Sequence, residues 1–261
     1  MTKRKLLHTL GLCAVLALLT TGIALVLKAG EGYRARHGCE AMEVHLRDSL
    51  RFVTPEEVQQ RVALVYGSYI GKRLDSLDLY RIEEVVDAQS AVLRSEAYTT
   101  PDGKLHVDVW QRRPVIRFQN GADGFYADSR GSVFPLQDHF SCDVPIVDGR
   151  IPVDYTKGYK GEVRKASQAL WIQDVIALTE VIEASPTWRD FIVQMSVNGD
   201  GDLVLVPREG SERFIFGRPE MVRDKLAAME KYYQYVRPSV GDNYYKTVNV
   251  KYKGQIVCRK Q

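Results

Sequence analysis

The sequence predicts an α+β protein: a single N-terminal transmembrane helix, a small β-α-α-β-β unit, then a mixed β-sheet domain with packed helices. Three observations carry this. Residues 6–27 (LLHTLGLCAVLALLTTGIALVL) contain no Asp, Glu, Lys or Arg. VTPEEVQQRVALV and LDLYRIEEVVDAQ supply two helices ahead of a pair of strands. LHVDVWQRRPVIRF then runs from one strand straight into another, which reads as a seam between two folded units without a linker.

The apolar segment comes first. At about 1.5 Å per residue, its residues span roughly 33 Å, enough for a bilayer core. Lys3, Arg4 and Lys5 would also suit a signal peptide, but the apolar run exceeds the usual 7–15-residue core and no A-x-A-like site follows. An uncleaved anchor is expected. The positive-inside count is a tie, since Lys28, Arg34 and Arg36 follow the span. The contiguous upstream cluster favours residues 1–5 as a cytoplasmic tail, with 28–40 as a juxtamembrane linker and the rest outside, in the periplasm of a two-membrane cell.

In the first exterior unit, 41–114, Glu43 to Leu46 begins a short strand. Thr54 can cap a helix, Pro55 suits its first position and Glu57 completes a capping box, while Val58, Val62 and Val65 recur at helical spacing. Asp78 can cap a second helix with Ile82, Val85 and Val86 as its apolar stripe. Val92 to Thr99 reads as a strand, Asp102-Gly103 as a tight turn, and Leu105 to Gln111 as the partner strand.

The seam is Gln111, Arg112, Arg113 and Pro114. Proline removes a ladder donor and pushes Arg113 toward extended geometry, so Pro114 belongs at a strand end or an edge. Arg112 and Arg113 read as hinge or interdomain contacts.

The second unit, 115–261, is strand-rich. Strands are expected at Val115 to Phe118, Phe125 to Ala127, the SVF segment, Val144 to Val147, Ile192 to Val197, Leu203 to Val206 and Phe214 to Phe216. Trp171, Val175, Leu178 and Ile182 form one face of a helix that stops before Pro186. A second helix begins near Pro219, buries Val222, Leu226, Met229, Tyr233 and Val236, and ends before Pro238. Lys246 to Tyr252 and Gln255 to Cys258 close the fold as a strand pair or one bent strand.

Composition bounds the function. The chain has 261 residues, 45% hydrophobic, with 36 basic against 33 acidic side chains and a net charge of +3. Interspersed charge offers no nucleic-acid-binding block. Cys39, Cys142 and Cys258 form neither a disulfide framework nor a metal spacing. His37, His45, His106 and His139 show no HExxH and no close pairing, and G-x-S-x-G is absent, so no catalytic residue is expected. Asn198, Asp200, Asp202 and Glu209 imitate a calcium loop, but Leu203 occupies the position that needs Gly. A hairpin turn is the better reading, and no metal or cofactor is expected.

The exterior sequence resembles the FtsQ/DivIB bacterial cell-division proteins. The resemblance lies in FVTPEEVQQRV, LHVDVWQRRPVIRF, FYADSRGSVFP, VPIVDG and the terminal VNVKYKGQIVC, which occur in that order over nearly the whole exterior portion. Asn249 and Lys251 stand where family members often carry Asp and Arg.

The resemblance implies that 41–114 is a POTRA domain and that the chain is a non-catalytic scaffold of the divisome at the inner membrane. It would bind FtsB/DivIC-like and FtsL-like partners, help regulate septal peptidoglycan synthesis, and meet other divisome members through the POTRA domain. If the terminal segment lies at a sheet edge, its backbone can take up a partner strand by β-augmentation. The expected partner-binding residues are Val248, Val250, Lys251, Tyr252, Lys253, Gly254, Ile256 and Cys258, with Lys251 and Lys253 steering an acidic partner and Tyr252 and Ile256 as apolar anchors. The same lysines would also guard an edge against aggregation. POTRA-containing envelope assembly or transport modules are the alternative, and a glycan-acting enzyme is a third reading.

Overall fold

The computed structural model describes residues 15–25, 38–121 and 123–260. Half of the anchor expected over 6–27 falls outside them. Its described part, 15–25, is a helix (α1) whose Leu16, Leu18, Leu19, Ile23 and Leu25 are all more than half exposed. The Thr20 and Thr21 hydroxyls donate to the Ala17 carbonyl within this helix, so neither needs an outside partner. No helix among the described residues is long and apolar enough to cross a membrane.

The chain divides into two compact units between Gln111 and Arg112. In the first, β1 (Ala41–Leu46), α2 (Pro55–Val65), α3 (Leu79–Asp87), β2 (Val92–Thr99) and β3 (Lys104–Gln111) follow in the expected order, with a 3-10 turn at Leu74–Ser76. The caps are those the sequence signals. Thr54 accepts from the Glu57 amide while the Glu57 carboxylate accepts from the Thr54 amide, and Asp78 accepts from the Arg81 amide. The sheet order is β1-β3-β2, with β1 parallel and β2 antiparallel to β3. Gly103, at φ +81°, makes the turn between β2 and β3 possible.

The helices cover one face of this sheet. Val58, Val62, Ile82 and Val86 are buried together with Leu105, Val107 and Val109 of β3, the period-2 set predicted from the sequence. The opposite face carries Glu43, His45 and His106. The two histidines lack close pairing in sequence, but the parallel register sets Glu43 beside His106 and brings the imidazoles together.

Among the described residues, the second unit is one nine-stranded mixed sheet with helices packed on it. Its strands are β4 (Pro114–Asn120), β5 (Asp123–Asp128), β6 (Val133–Pro135), β7 (Ile146–Gly149), β8 (Ile192–Val197), β9 (Leu203–Pro207), β10 (Arg213–Gly217), β11 (Thr247–Asn249) and β12 (Val257–Arg259). They lie in the order β12-β11-β10-β9-β8-β7-β4-β5-β6. Helix α4 (Ala166–Ala184) buries Ile172, Val175, Leu178 and Ile182, and α5 (Val222–Lys231) buries Leu226 and Met229, in one core with Phe118, Phe214, Phe216 and Val248.

The end of this unit departs from expectation at Pro238. The helix does not stop before it: a π-helical segment, Tyr232–Val236, leads into α6 (Arg237–Val240), whose first turn holds the proline. The helical path is unbroken there, since the Arg237 amide donates to the Tyr232 carbonyl five residues back, and Pro238 simply contributes no amide to the ladder just after that wider turn.

Candidate functional site

The terminal segment forms a strand pair rather than one bent strand. β11 pairs parallel with β10 on one side and antiparallel with β12 on the other, with Val248 opposite both Phe214 and Cys258. This corrects the edge assignment. β11 is an interior strand, so Val248 has its backbone neighbours on both sides and is fully buried, and Val250 is buried as well. The edge is β12. Among the described residues no strand pairs with its outer side. At the other end of the sheet, the outer side of β6 is occupied, since Val133 and Gly161 exchange two backbone hydrogen bonds of 2.8 and 2.9 Å.

The connection between β11 and β12 is held from below. Lys251 Nζ donates to Asp202 Oδ2 at 2.7 Å, and the Asn249 carboxamide oxygen accepts from the Lys251 amide at 3.0 Å. The hydrogen bond to Asp202 holds the Lys251 ammonium above its ordinary pKa. Gly217, at φ +78°, lets the lysine stem pass, because a Cβ there would lie 2.7 Å from the Lys251 Cβ. Lys251 is thus a brace for the turn, and its charge is already matched. Asp202 itself ends the β8–β9 hairpin turn, in which the Asn198 carboxamide oxygen accepts from the amides of Asp200 and Asp202.

The remaining expected residues divide cleanly. Tyr252, Lys253 and Gly254 form the exposed tip, with Tyr252 53% exposed. Ile256 and Cys258 turn inward against the core, and burial raises the Cys258 thiol pKa. Val257 and Arg259 face solvent instead, Val257 at 47% exposure. They were not among the expected residues, yet period-2 alternation from Ile256 and Cys258 places them on the opposite face. Residues 246–260 contain no Asp or Glu, and Lys246, Lys253, Arg259 and Lys260 are exposed. Lys260 lies 4.4 Å from the Tyr244 ring centre. An open strand edge, the exposed side chains of Tyr252 and Val257, and a run of basic residues without an acidic one thus meet on one surface.

The four seam residues have separate duties. Gln111 ends β3 buried: its carboxamide oxygen accepts from the Val53 amide at 3.0 Å, and its nitrogen donates to Asp48 Oδ1 and the Leu50 carbonyl, both at 2.7 Å. Arg112 Nη1 donates to Asp128 Oδ2 at 3.1 Å within the second unit. Arg113 is exposed, and Pro114 opens β4 at the strand end where a missing amide is harmless.

The three described cysteines are free thiols. Residues 37–110 match the POTRA-like domain, and residues 113–259 match the family described as FtsQ/DivIB, C-terminal related. No curated protein matches the chain. The FtsQ/DivIB resemblance read from the sequence is therefore upheld across both units, and with the C-terminal match extending over more than half its length, the chain belongs to the FtsQ/DivIB, C-terminal related family of non-catalytic cell-division proteins.

Proposed function

We propose that the chain is a single-pass scaffold of the divisome that captures the extracytoplasmic segments of FtsB/DivIC-like and FtsL-like partners on the outer side of β12. In this way it couples them to the regulation of septal peptidoglycan synthesis. The open β12 edge carries the reading. β-Augmentation supplies main-chain hydrogen bonds, while Tyr252 and Val257 offer apolar anchors and Lys253 and Arg259 attract an acidic partner. The POTRA domain serves other divisome members.

The membrane anchor is supported by the apolar, uncharged sequence 6–27 and by the exposed leucines of α1. A chain held at the inner membrane with its N-terminus in the cytoplasm places both exterior units in the periplasm, at the septum.

The test is capture of partner segments by the full-length protein in detergent. Combining Tyr252→Ala, Lys253→Glu and Val257→Lys should weaken capture at least about tenfold, as loss of a central anchor does. Unchanged capture by a folded variant would overturn β12 as the site. In cells, depletion should give filaments and a tagged copy should mark midcell; uniform envelope signal would favour an assembly or transport module.

A further inference from the structure

We infer that the open face of the POTRA-like sheet is a divalent-metal site of the zinc class, built from Glu43, His45 and His106. The three side chains are consecutive neighbours on one face: Glu43 and His45 alternate along β1, and His106 lies opposite Glu43 on the parallel strand β3. One ligand atom from each falls within 4.8 Å of the others. His45 Nε2 is 3.2 Å from His106 Nδ1, and Glu43 Oε2 is 3.6 Å from the same Nδ1. A tetrahedral ion with bonds of about 2.0–2.1 Å separates its ligand atoms by about 3.3 Å, so both separations fit with small side-chain rotations. Two imidazoles and one carboxylate form a borderline donor set that suits zinc and leaves a fourth position for water.

The surroundings orient the ligands. His106 Nε2 is 2.9 Å from the Thr100 hydroxyl, which also contacts the Asp102 carboxylate and the Lys104 carbonyl. Both of those are pure acceptors, so the hydroxyl gives its proton to one of them and accepts from His106 Nε2–H. That fixes the tautomer with the Nδ1 lone pair toward Glu43 and His45, the outer-shell arrangement seen around metal-bound histidines. Tyr98 stacks on the His106 ring at 5.0 Å and 12°, restraining its rotation. Lys104 Nζ holds Glu43 Oε1 at 2.5 Å, leaving Oε2 to face the imidazole. Ion binding would need His45 to carry its proton on Nδ1, and it would fasten β1 to the centre of its sheet.

The probe is Zn2+ alone, titrated calorimetrically into the metal-free full-length protein in detergent, with Co2+ absorption reporting geometry. The expected result is one ion per chain at this site and a tetrahedral Co2+ spectrum. His106→Ala and His45→Gln should each abolish it, and Thr100→Val should weaken it about 10–100-fold through the outer shell. A Cys39→Ser/Cys142→Ser/Cys258→Ser variant should bind as the parent does. Circular dichroism confirms that each variant is folded, and Glu43→Gln provides a near-isosteric check. The inference is overturned if the parent binds no Zn2+, or if binding survives both histidine changes or vanishes with the cysteines. In each case the three side chains form a hydrogen-bonded cluster only.

Discussion

Lys251 Nζ lies 2.7 Å from Asp202 Oδ2, tying the turn between β11 and β12 to the hairpin between β8 and β9. The two residues are distant in sequence, and β9, β10 and β11 bring them together. Replacing Lys251 by Glu sets two carboxylates face to face, so residues 250–256 should lose hydrogen-exchange protection. Asp202→Lys in the same chain should restore it by reversing the pair. Lys253→Glu, at the exposed tip, should leave protection intact and instead slow partner association at low salt, an effect that disappears as ionic strength rises. Equal protection in the Lys251 and Lys253 variants would show that the pair does not hold the turn.

Asp128 performs two tasks with its two oxygens. Oδ2 receives the Arg112 guanidinium, and Oδ1 accepts from the amides of Arg130 and Ser132, closing the turn into β6. Both side chains of the pair are largely buried, with 15% and 11% of their surface exposed. Asp128→Ala strips the buried arginine of its counter-charge and opens the turn, which should cost about 3 kcal/mol in urea unfolding. Asp128→Asn keeps an oxygen for the turn and should cost less. Equal losses would mean that the turn bonds contribute nothing.

Local signals were readable wherever the controlling partner lies a few residues away. Thr54 and Glu57 announce α2, Asp78 announces α3, and Val92 to Thr99 has the strand bounds the structure shows. The terminal surface was readable only in part, because strand order is not a local property. β11 looks like an edge until β12 folds back outside it, moving the open backbone from Val248 to Val257–Arg259. His45 and His106 illustrate the same limit, since 61 positions separate them and only the β1–β3 register makes them neighbours. Pro238 misled for a different reason. A proline forbids a helix interior, but it equally suits a first turn, and residues 232–236 let one helix pass into the next.

High pH should unfold the second unit through its tyrosines. Burial pushes Tyr155 and Tyr232 from 10.0 up to about 12. It raises Tyr233 too, with help from its hydrogen bond to the Glu212 carboxylate. In each case the fold favours the neutral phenol, so the native state holds its proton after the unfolded chain has lost it. Stability from these groups is complete below pH 10 and falls as pH rises through about 12. Tyrosinate absorbance should then appear together with loss of near-UV dichroism, and Tyr232→Phe should move the loss to higher pH. Full tyrosine titration near pH 10 with the fold intact would contradict the burial argument.

Gln111 should be the most sensitive polar residue at the seam. Its carboxamide contacts Val53 N, Asp48 Oδ1 and Leu50 O at once, and it needs both an acceptor and a donor end. Gln111→Ala removes the partner of the buried Val53 amide and one donor each from the half-buried Asp48 and Leu50 oxygens, and should cost about 3 kcal/mol, the sum of a few lost bonds at roughly 1 kcal/mol each. Gln111→Glu is the sharper test, because a carboxylate keeps the acceptor for Val53 but turns a second negative charge toward Asp48. It should destabilise the first unit at neutral pH and recover part of the loss in acid, where either carboxyl can be protonated and donate. Thermal unfolding of the two variants at neutral and acidic pH distinguishes the cases. A Glu variant as stable as the parent at neutral pH would show that the amide nitrogen contributes little to holding the 48–53 segment against β3.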